Sequence, residues 1–277
     1  MERKIINKIK GFKTQDGAGV SLVRVLGRNT TAEYDPILML DSFDSDNPDD
    51  YIKGFPEHPH RGIETISYVY KGQMTHKDSL GNEDTISSGE VQWMTAGSGI
   101  IHAESLPPSE RLLGVQLWLN LPAKDKMCPP AYRAIKNEEI KEIPIDNGKI
   151  RLLAGTYENH QGYMSKYLQL DYYDIHLDKG KIRIETAKDR SIMLFTLVGK
   201  AEVGGVELEE KTAAKLGEGS YVEIESKDKA QILFVSSKKL NEDVFWGGPI
   251  VMNTEEDLYQ AFLDLDRGEF LKTKIDY

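Results

Sequence analysis

The fold of this chain is decided by two stretches, Gly54-Phe-Pro-Glu-His-Pro-His-Arg-Gly-Ile-Glu-Thr65 and Gln92-Trp-Met-Thr-Ala-Gly-Ser-Gly-Ile-Ile-His-Ala-Glu104. Together they hold three of the six histidines in the sequence. Alternate side chains of a β-strand point to the same face, so His58 and His60 can converge on one point from a single strand. His102 and Glu104 have the same spacing and can approach that point from a second strand. The two pairs predict a four-ligand metal site.

Length, charge and cysteine content limit the classes of protein. The 277 residues allow one large or two medium domains, and the formal net charge of −10 argues against a direct nucleic-acid surface. We therefore expect any role on genes to run through a protein partner. The N-terminus lacks an apolar signal region, and no segment approaches the ~18 apolar residues needed to cross a membrane. A single cysteine, Cys128, excludes an internal disulfide and favours a reducing compartment, so we expect a cytoplasmic protein.

Short strand-like runs between Gly-rich turns are the main secondary-structure signal of the first half. Such runs at regular spacing are typical of an all-β barrel or sandwich. Pro122, Pro129 and Pro130 interrupt the pattern and predict a linker over about 122–145. The expected strands cover 20–26, 37–43, 63–70, 91–95, 100–104 and 114–120.

The second half repeats this outline, with strands expected over 166–177, 182–186 and 192–198. The segment after Gly199 resembles the segment after Gly72, and Gly219 can be laid on Gly89. The repetition predicts two related β-barrels in tandem.

The same ungapped match predicts one metal site per chain, because the second half lacks a matching ligand set. It places Glu185 and Ala187 opposite His58 and His60, and Ile232 and Phe234 opposite His102 and Glu104.

The tail predicts a helix over about 255–266 that packs on the outside of a barrel. Thr254 can cap it, acidic residues fill its first turn, and Gly268 can end it. One apolar stripe faces the barrel, formed by Leu258, Ala261, Phe262 and Leu265.

Over nearly its whole length the chain resembles the pirins, a branch of the cupin superfamily. The resemblance lies in the two opening stretches and in Gln116-Leu-Trp-Leu-Asn-Leu121 and Gly248-Pro-Ile-Val-Met-Asn-Thr254. It implies an all-β fold of two tandem cupin barrels, each a double-stranded β-helix of the jelly-roll type. We expect a metal-binding barrel over 1–134, and over 135–277 a barrel without metal ligands that ends in the helix and a tail.

The resemblance also implies a ligand set. The pirin pattern assigns one metal, usually described as iron, to His58, His60, His102 and Glu104. The general cupin pattern instead places its glutamate four residues after the second histidine, where this chain has Glu64. A bulge at Gly62 can turn that side chain aside, so we take Glu104 as the ligand and Glu64 as a residue beside the site.

Three functions fit these residues. Imidazole and carboxylate donors suit Fe, Ni, Cu, Mn or Zn, and a six-coordinate ion would keep two adjacent positions free. Some pirins resemble quercetin 2,3-dioxygenases, so the leading hypothesis is an oxidoreductase that cleaves a chelating flavonol with O2, with Glu104 moving the substrate proton. The alternatives are an iron-binding, redox-sensitive regulatory protein with a protein partner, since the family includes a nuclear transcriptional co-regulator, and a structural-metal cupin with another small substrate.

The remaining candidate residues have less specific interpretations. His76, His160 and His176 are expected in structural or surface roles, and Cys128 in none. Trp93 and Trp118 are interpreted as core residues, although either could line the mouth of a barrel.

Overall fold

The computed structural model describes residues 1–273, in which β-strands are the main secondary structure. Two short α-helices are present in this range, α1 (Thr31–Tyr34) and α2 (Glu255–Asp266). The strands, in chain order, are β1 (Ile5–Lys10), β2 (Phe12–Asp16), β3 (Val20–Leu26), β4 (Ile37–Ser45), β5 (Phe55–His60), β6 (Ile63–Lys71), β7 (Gln73–Asp78), β8 (Glu83–Ser87), β9 (Glu90–Thr95), β10 (Ile100–Ser105), β11 (Leu112–Asn120), β12 (Ala131–Ile135), β13 (Lys141–Ile145), β14 (Gly148–Ala154), β15 (Thr156–Tyr157), β16 (His160–Gln161), β17 (Leu170–Leu177), β18 (Gly180–Glu185), β19 (Arg190–Val198), β20 (Ala201–Val203), β21 (Val206–Leu208), β22 (Thr212–Leu216), β23 (Tyr221–Ser226), β24 (Ala230–Lys238), β25 (Phe245–Gly247) and β26 (Ile250–Met252).

The strands build two barrels with the same internal order. In the first barrel a seven-stranded sheet, β12-β9-β6-β11-β4-β3-β2, faces a four-stranded sheet, β5-β10-β7-β8. In the second barrel the corresponding sheets are β1-β22-β19-β24-β17-β14-β13 and β18-β23-β20-β21. The repeated order confirms the expectation of an all-β chain with two tandem jelly-roll barrels.

The N-terminal strand belongs to the second barrel, and the segment that follows residue 239 belongs to the first. The first barrel comprises residues 13–31, 37–136 and 240–273, and the second comprises 1–12, 32–36 and 137–239. The division near 136 is close to the boundary expected after 134, but the assignment of both termini differs from a single cut. The cause is long-range pairing: β1 joins β22 as an edge strand, with Ile5 opposite Leu216.

The match between the two halves needs one correction, because the topology shifts the expected register in the second barrel. Ile232 and Phe234 lie on β24, which occupies the place of β11 and not that of β10. The turn before β22 is made by Lys211 at φ +59°, whereas the equivalent turn of the first barrel uses Gly89. Matching glycine to glycine therefore moved the alignment by one strand.

The true counterparts of β5 and β10 are β18 and β23, and their inward side chains are apolar. Ile182 lies opposite Ile224, and Ile184 lies opposite Val222. All four are buried in the core of the second barrel. The strand pair equivalent to the histidine-bearing pair thus contributes only apolar side chains at these four positions of the second barrel.

The C-terminal helix begins and ends as predicted. The Thr254 hydroxyl accepts a hydrogen bond from the Asp257 N–H, and three acidic residues occupy the first turn of α2. Ala261 is buried in a small cluster with Ile250 and Met252 of β26. No helix among residues 1–273 is long and apolar enough to span a membrane.

We expect Gly62→Ala to destabilise the first barrel by about 3 kcal/mol or more, because steric overlap adds to backbone strain. Gly62 has φ +80°, and an added Cβ would lie 2.0 Å from the Val251 carbonyl oxygen. Gly248→Ala is the matched control: φ is +55° but nothing lies within 4 Å, so strain alone should cost about 1–2 kcal/mol. Urea unfolding measures both, and equal costs would contradict the predicted overlap.

Candidate metal centre

Three histidines converge inside the first barrel. β5 and β10 pair antiparallel, with His58 opposite His102 and His60 opposite Ile100. One ring nitrogen of each of the three histidines lies within 4.8 Å of those of the other two. The ring centroids of His58 and His102 are 4.4 Å apart, and those of His60 and His102 are 5.1 Å apart. Strand alternation thus has the consequence that the sequence predicts for these three residues.

Backbone carbonyls orient two of the imidazole rings. The Nδ1 of His58 lies 2.8 Å from the Pro56 oxygen, and the Nδ1 of His60 lies 2.9 Å from the Pro249 oxygen. A carbonyl can only accept, so each Nδ1 carries the proton and each Nε2 keeps its lone pair. Both rings therefore present an unprotonated Nε2 that can bind a cation.

The third ring shows that the residues fit a metal. The Nε2 of His102 is buried and has no hydrogen-bond partner within residues 1–273. A buried polar atom without a partner costs about 1–3 kcal/mol, and a metal ion between three converging imidazoles would satisfy it. Burial also lowers the pKa of His60 to about 3 and that of His102 well below its usual value. Both rings are therefore neutral at neutral pH, as coordination requires.

Glu104 lies next to this cluster under a different set of contacts. It is 3% exposed and follows a β-bulge that breaks the β5 register after His102. Gln92 donates its amide to Oε1, and Gln116 donates to both carboxylate oxygens at 3.1 and 2.9 Å. Among the described residues, the potential metal-ligand atoms that lie within 4.8 Å of one another are ring nitrogens of His58, His60 and His102. The carboxylate of Glu104 is not part of that group.

Glu64 belongs to the other sheet. The Arg61-Gly62 step ends β5, and Glu64 lies on β6 opposite Thr95 of β9. Its Oε1 accepts a 2.6 Å hydrogen bond from the Thr95 hydroxyl, and burial raises its pKa. Gly62 therefore acts as a break between two strands instead of a bulge within one.

An open cavity of about 630 Å³ adjoins the histidines, within the ~300–1,000 Å³ usual for small-molecule sites. His58, His60 and Gln116 line it together with Trp118 and Trp246, whose ring centroids are 5.6 Å apart. Trp118 thus lines the mouth of the barrel, whereas Trp93 is a buried core residue.

A salt bridge forms the polar part of the cavity wall. Arg24 donates from Nε and Nη2 to the two oxygens of Asp41 at 2.9 and 2.8 Å. Both residues line the cavity, which therefore combines aromatic surface with fixed polar groups.

Sequence reasoning missed one group. His76, interpreted as structural or superficial, is fully buried, and its Nδ1 lies 3.3 Å from the Nδ1 of His102. The available signal was its spacing from Asp78, which repeats the alternation of His58 and His60.

Comparisons with known proteins agree with this architecture. Residues 19–119 match the family model described as pirin, and residues 172–271 match that of the pirin C-terminal cupin domain. A pirin-like protein of Caulobacter vibrioides is 40% identical over 97% of this chain and 99% of its own length. A Pseudomonas aeruginosa protein provisionally named a quercetin 2,3-dioxygenase is 38% identical over 96% of this chain and 97% of its own. The crystal structure of quercetin 2,3-dioxygenase from Acinetobacter baumannii superposes with a TM-score of 0.90 and 32% identity, covering 98% of this chain and 99% of that one.

Proposed function

Because the chain belongs to the pirin family, we propose that it is a metal-dependent dioxygenase that cleaves a flavonol-like ring with O2. The observation that carries the proposal is the buried Nε2 of His102, which has no hydrogen-bond partner in the described part of the chain and lies beside His58 and His60, two residues that line an aromatic cavity. The likeness to a solved structure named quercetin 2,3-dioxygenase supports the substrate class.

The proposed ligand set is His58, His60, His102 and Glu104, with one divalent transition metal per chain. Iron is the first choice, and Ni, Cu, Mn and Zn are the alternatives that the donor types also accept. When bound, such an ion supplies Lewis acidity to a hydroxyl–carbonyl chelate and a path for electrons to O2. The chain's own contribution is then to bind the flavonol, orient it and move its proton.

Glu104 is the proposed proton acceptor for the enol hydroxyl of the substrate. Its carboxylate accepts hydrogen bonds from two amide donors, Gln92 and Gln116. Amide donors hold the carboxylate without giving it a proton, so the acceptor capacity remains for the substrate. Gln116 also lines the cavity and so links the carboxylate to bound substrate.

The walls of the cavity suit a flat aromatic ligand. Trp118 and Trp246 form an aromatic part of the wall, and Met39 and Phe55 add apolar surface. Aromatic side chains bury large areas and stack on planar partners, so the cavity can hold the ring system while its chelating oxygens reach the histidines.

The direct test is turnover of quercetin in air by the full-length protein reconstituted separately with each of the five metals. We expect loss of the flavonol absorbance and release of CO with at least one metal. Glu104→Gln should lower turnover by at least ~100-fold, the usual contribution of an acid–base group. Glu225→Gln, on the equivalent strand β23 of the second barrel, is the matched control and should leave turnover unchanged.

Absence of turnover and of CO with every metal would contradict the dioxygenase and favour the regulatory alternative. That alternative predicts a host protein partner whose capture differs between the reduced and oxidised metal.

A cytoplasmic address belongs to the same proposal. It rests on Cys128, the single cysteine of the chain, because proteins without disulfides suit a reducing compartment.

A further inference from the structure

β10 has a second neighbour that carries titratable groups towards the metal centre. β7 pairs with β10 on the side away from β5, with Asp78 opposite His102 and His76 opposite Glu104. Residues opposite each other on paired strands share a face, so Asp78 and His76 point into the barrel with the ligands. Both are buried, at 8% and 0% exposure.

A chain of hydrogen bonds runs from Asp78 to His102. The Nε2 of His76 lies 2.8 Å from Asp78 Oδ2, and its Nδ1 lies 3.3 Å from the Nδ1 of His102. An ionised carboxylate can only accept, so His76 donates from Nε2 and keeps the lone pair on Nδ1. That nitrogen then accepts from the Nδ1–H of His102, which leaves the lone pair of His102 on Nε2.

Asp78 is fixed by its own donors. The backbone N–H groups of Leu80 and Asn82 donate to Oδ1 at 2.8 and 3.1 Å, and the Asn82 side-chain amide adds further bonds. Burial alone would raise the pKa of Asp78, but the hydrogen bonds from His76, Asn82 and Leu80 bring it below its usual value. The carboxylate is therefore the ionised end of the chain.

Tyr132 of β12 fixes the plane of the middle ring. Its ring is stacked on His76 at a centroid distance of 4.2 Å and an interplanar angle of 11°. The stack with Tyr132 and the hydrogen bond to Asp78 together fix the His76 ring in the orientation that places its Nδ1 beside His102.

We propose that Asp78 and His76 are positioning residues that set the tautomer and orientation of His102, so that its Nε2 is free for the metal. The inference rests on the metal site of the proposed function. With the opposite tautomer, His102 would point a buried N–H at the other two ligands, and no metal could bind there.

Two variants disrupt the hydrogen-bond chain from Asp78 through His76 to His102 in different ways. His76→Phe keeps a ring for Tyr132 to stack on but removes both hydrogen bonds. Asp78→Asn keeps an acceptor for the Leu80 and Asn82 N–H groups, but its amide can donate to His76 and so reverse the tautomers of both histidines. Each should weaken Ni(II) binding by 10- to 100-fold in calorimetric titration of the full chain, as loss of a group that orients a ligand usually does.

A double variant tests whether Asp78 and His76 act on His102 through one hydrogen-bond chain or independently. Asp78→Asn should add little to the loss of affinity caused by His76→Phe, because the chain is already broken at His76. Asp174→Asn is the matched control: Asp174 accepts a 2.8 Å hydrogen bond from His176 in the second barrel, and this variant should bind Ni(II) as the wild type does. Additive losses in the double variant would overturn the inference.

The tautomer can also be read without any metal. Long-range ¹H–¹⁵N spectra of the metal-free wild type should show His102 protonated at Nδ1, and Asp78→Asn should move the proton to Nε2. An Nε2–H in the wild type would overturn the inference even if a variant failed to fold. A wild type that shows the Nδ1–H tautomer of His102 but binds no Ni(II) would overturn the proposed metal site. The effect of Asp78 and His76 on the tautomer would then still stand.

Discussion

His102→Phe should abolish tight metal binding while the first barrel stays folded. The ring centroid of His102 lies 4.4 Å from that of His58 and 5.1 Å from that of His60. Removing a group that only orients a ligand costs about 10- to 100-fold in affinity, so removing the ligand should cost more than ~100-fold. The phenyl ring keeps most of the volume of the imidazole and limits the cavity left in the core.

The metal content of the purified variant and its Ni(II) affinity measure this effect. The metal should also raise the unfolding temperature of the wild type, since binding only to the folded state adds about 2.7 kcal/mol at 100 times the dissociation constant. Chelation should remove that increment from the wild type and leave His102→Phe unchanged. His176→Phe, on β17 of the second barrel, is the matched control and should retain the full metal content. Stoichiometric tight binding by His102→Phe would contradict the three-histidine site.

The sequence was most informative where local chemistry determines local structure. The strand expected over 20–26 is β3 (Val20–Leu26), and the helix expected over 255–266 is α2, capped by Thr254 as predicted. Alternation also placed the three histidines correctly, because a strand offers only two faces. These features depend on residues within one element or on one strand pairing.

The features that sequence reasoning missed depend on distant pairings. β1 joins the second barrel through β22, about 200 residues away, and no pattern within Ile5–Lys10 encodes that partner. His76 was missed because its contacts depend on the pairing of β7 with β10 and on the stack with Tyr132 of β12. The shift of the repeat has a local cause, since Lys211 adopts a positive φ that usually indicates glycine.

A buried ion pair connects the strand of the ligands to the C-terminal helix. Arg61 follows His60, and its Nη1 lies 2.8 Å from Asp264 Oδ2 of α2. The same guanidinium donates to the backbone oxygens of Ser98 and Phe270 at 2.8 Å each and lies over the Phe270 ring, 4.3 Å from its centroid. Each of the three guanidinium nitrogens of this arginine therefore donates to a partner within the first barrel.

Arg61→Met should destabilise the first barrel by about 3 kcal/mol, since the Ser98 and Phe270 oxygens lose this donor and Asp264 keeps only its pair with the half-exposed Lys272 as a cation partner among the described residues. Urea unfolding followed by tryptophan fluorescence reports on this barrel alone, because Trp93, Trp118 and Trp246 all lie in it. Arg183→Met is the matched control. Arg183 pairs with Glu185 at 2.7 Å and lies over the Tyr221 ring, but its side chain is 53% exposed, so we expect a cost below ~1 kcal/mol.

The cost of Arg61→Met should also depend on pH. Burial alone would raise the pKa of Asp264, but hydrogen bonds from Lys272, Arg61 and Gln260 hold it far below its usual range. A carboxyl with a lowered pKa in the folded state contributes stability above its unfolded pKa of ~3.9, and that contribution is lost as the pH falls towards the folded value. Without Arg61, Asp264 can take up a proton at higher pH and so relieve its buried charge. The difference between wild type and variant should therefore be largest at neutral pH and shrink below about pH 4, and a difference that grew on acidification would show that the lost contacts are not ionic.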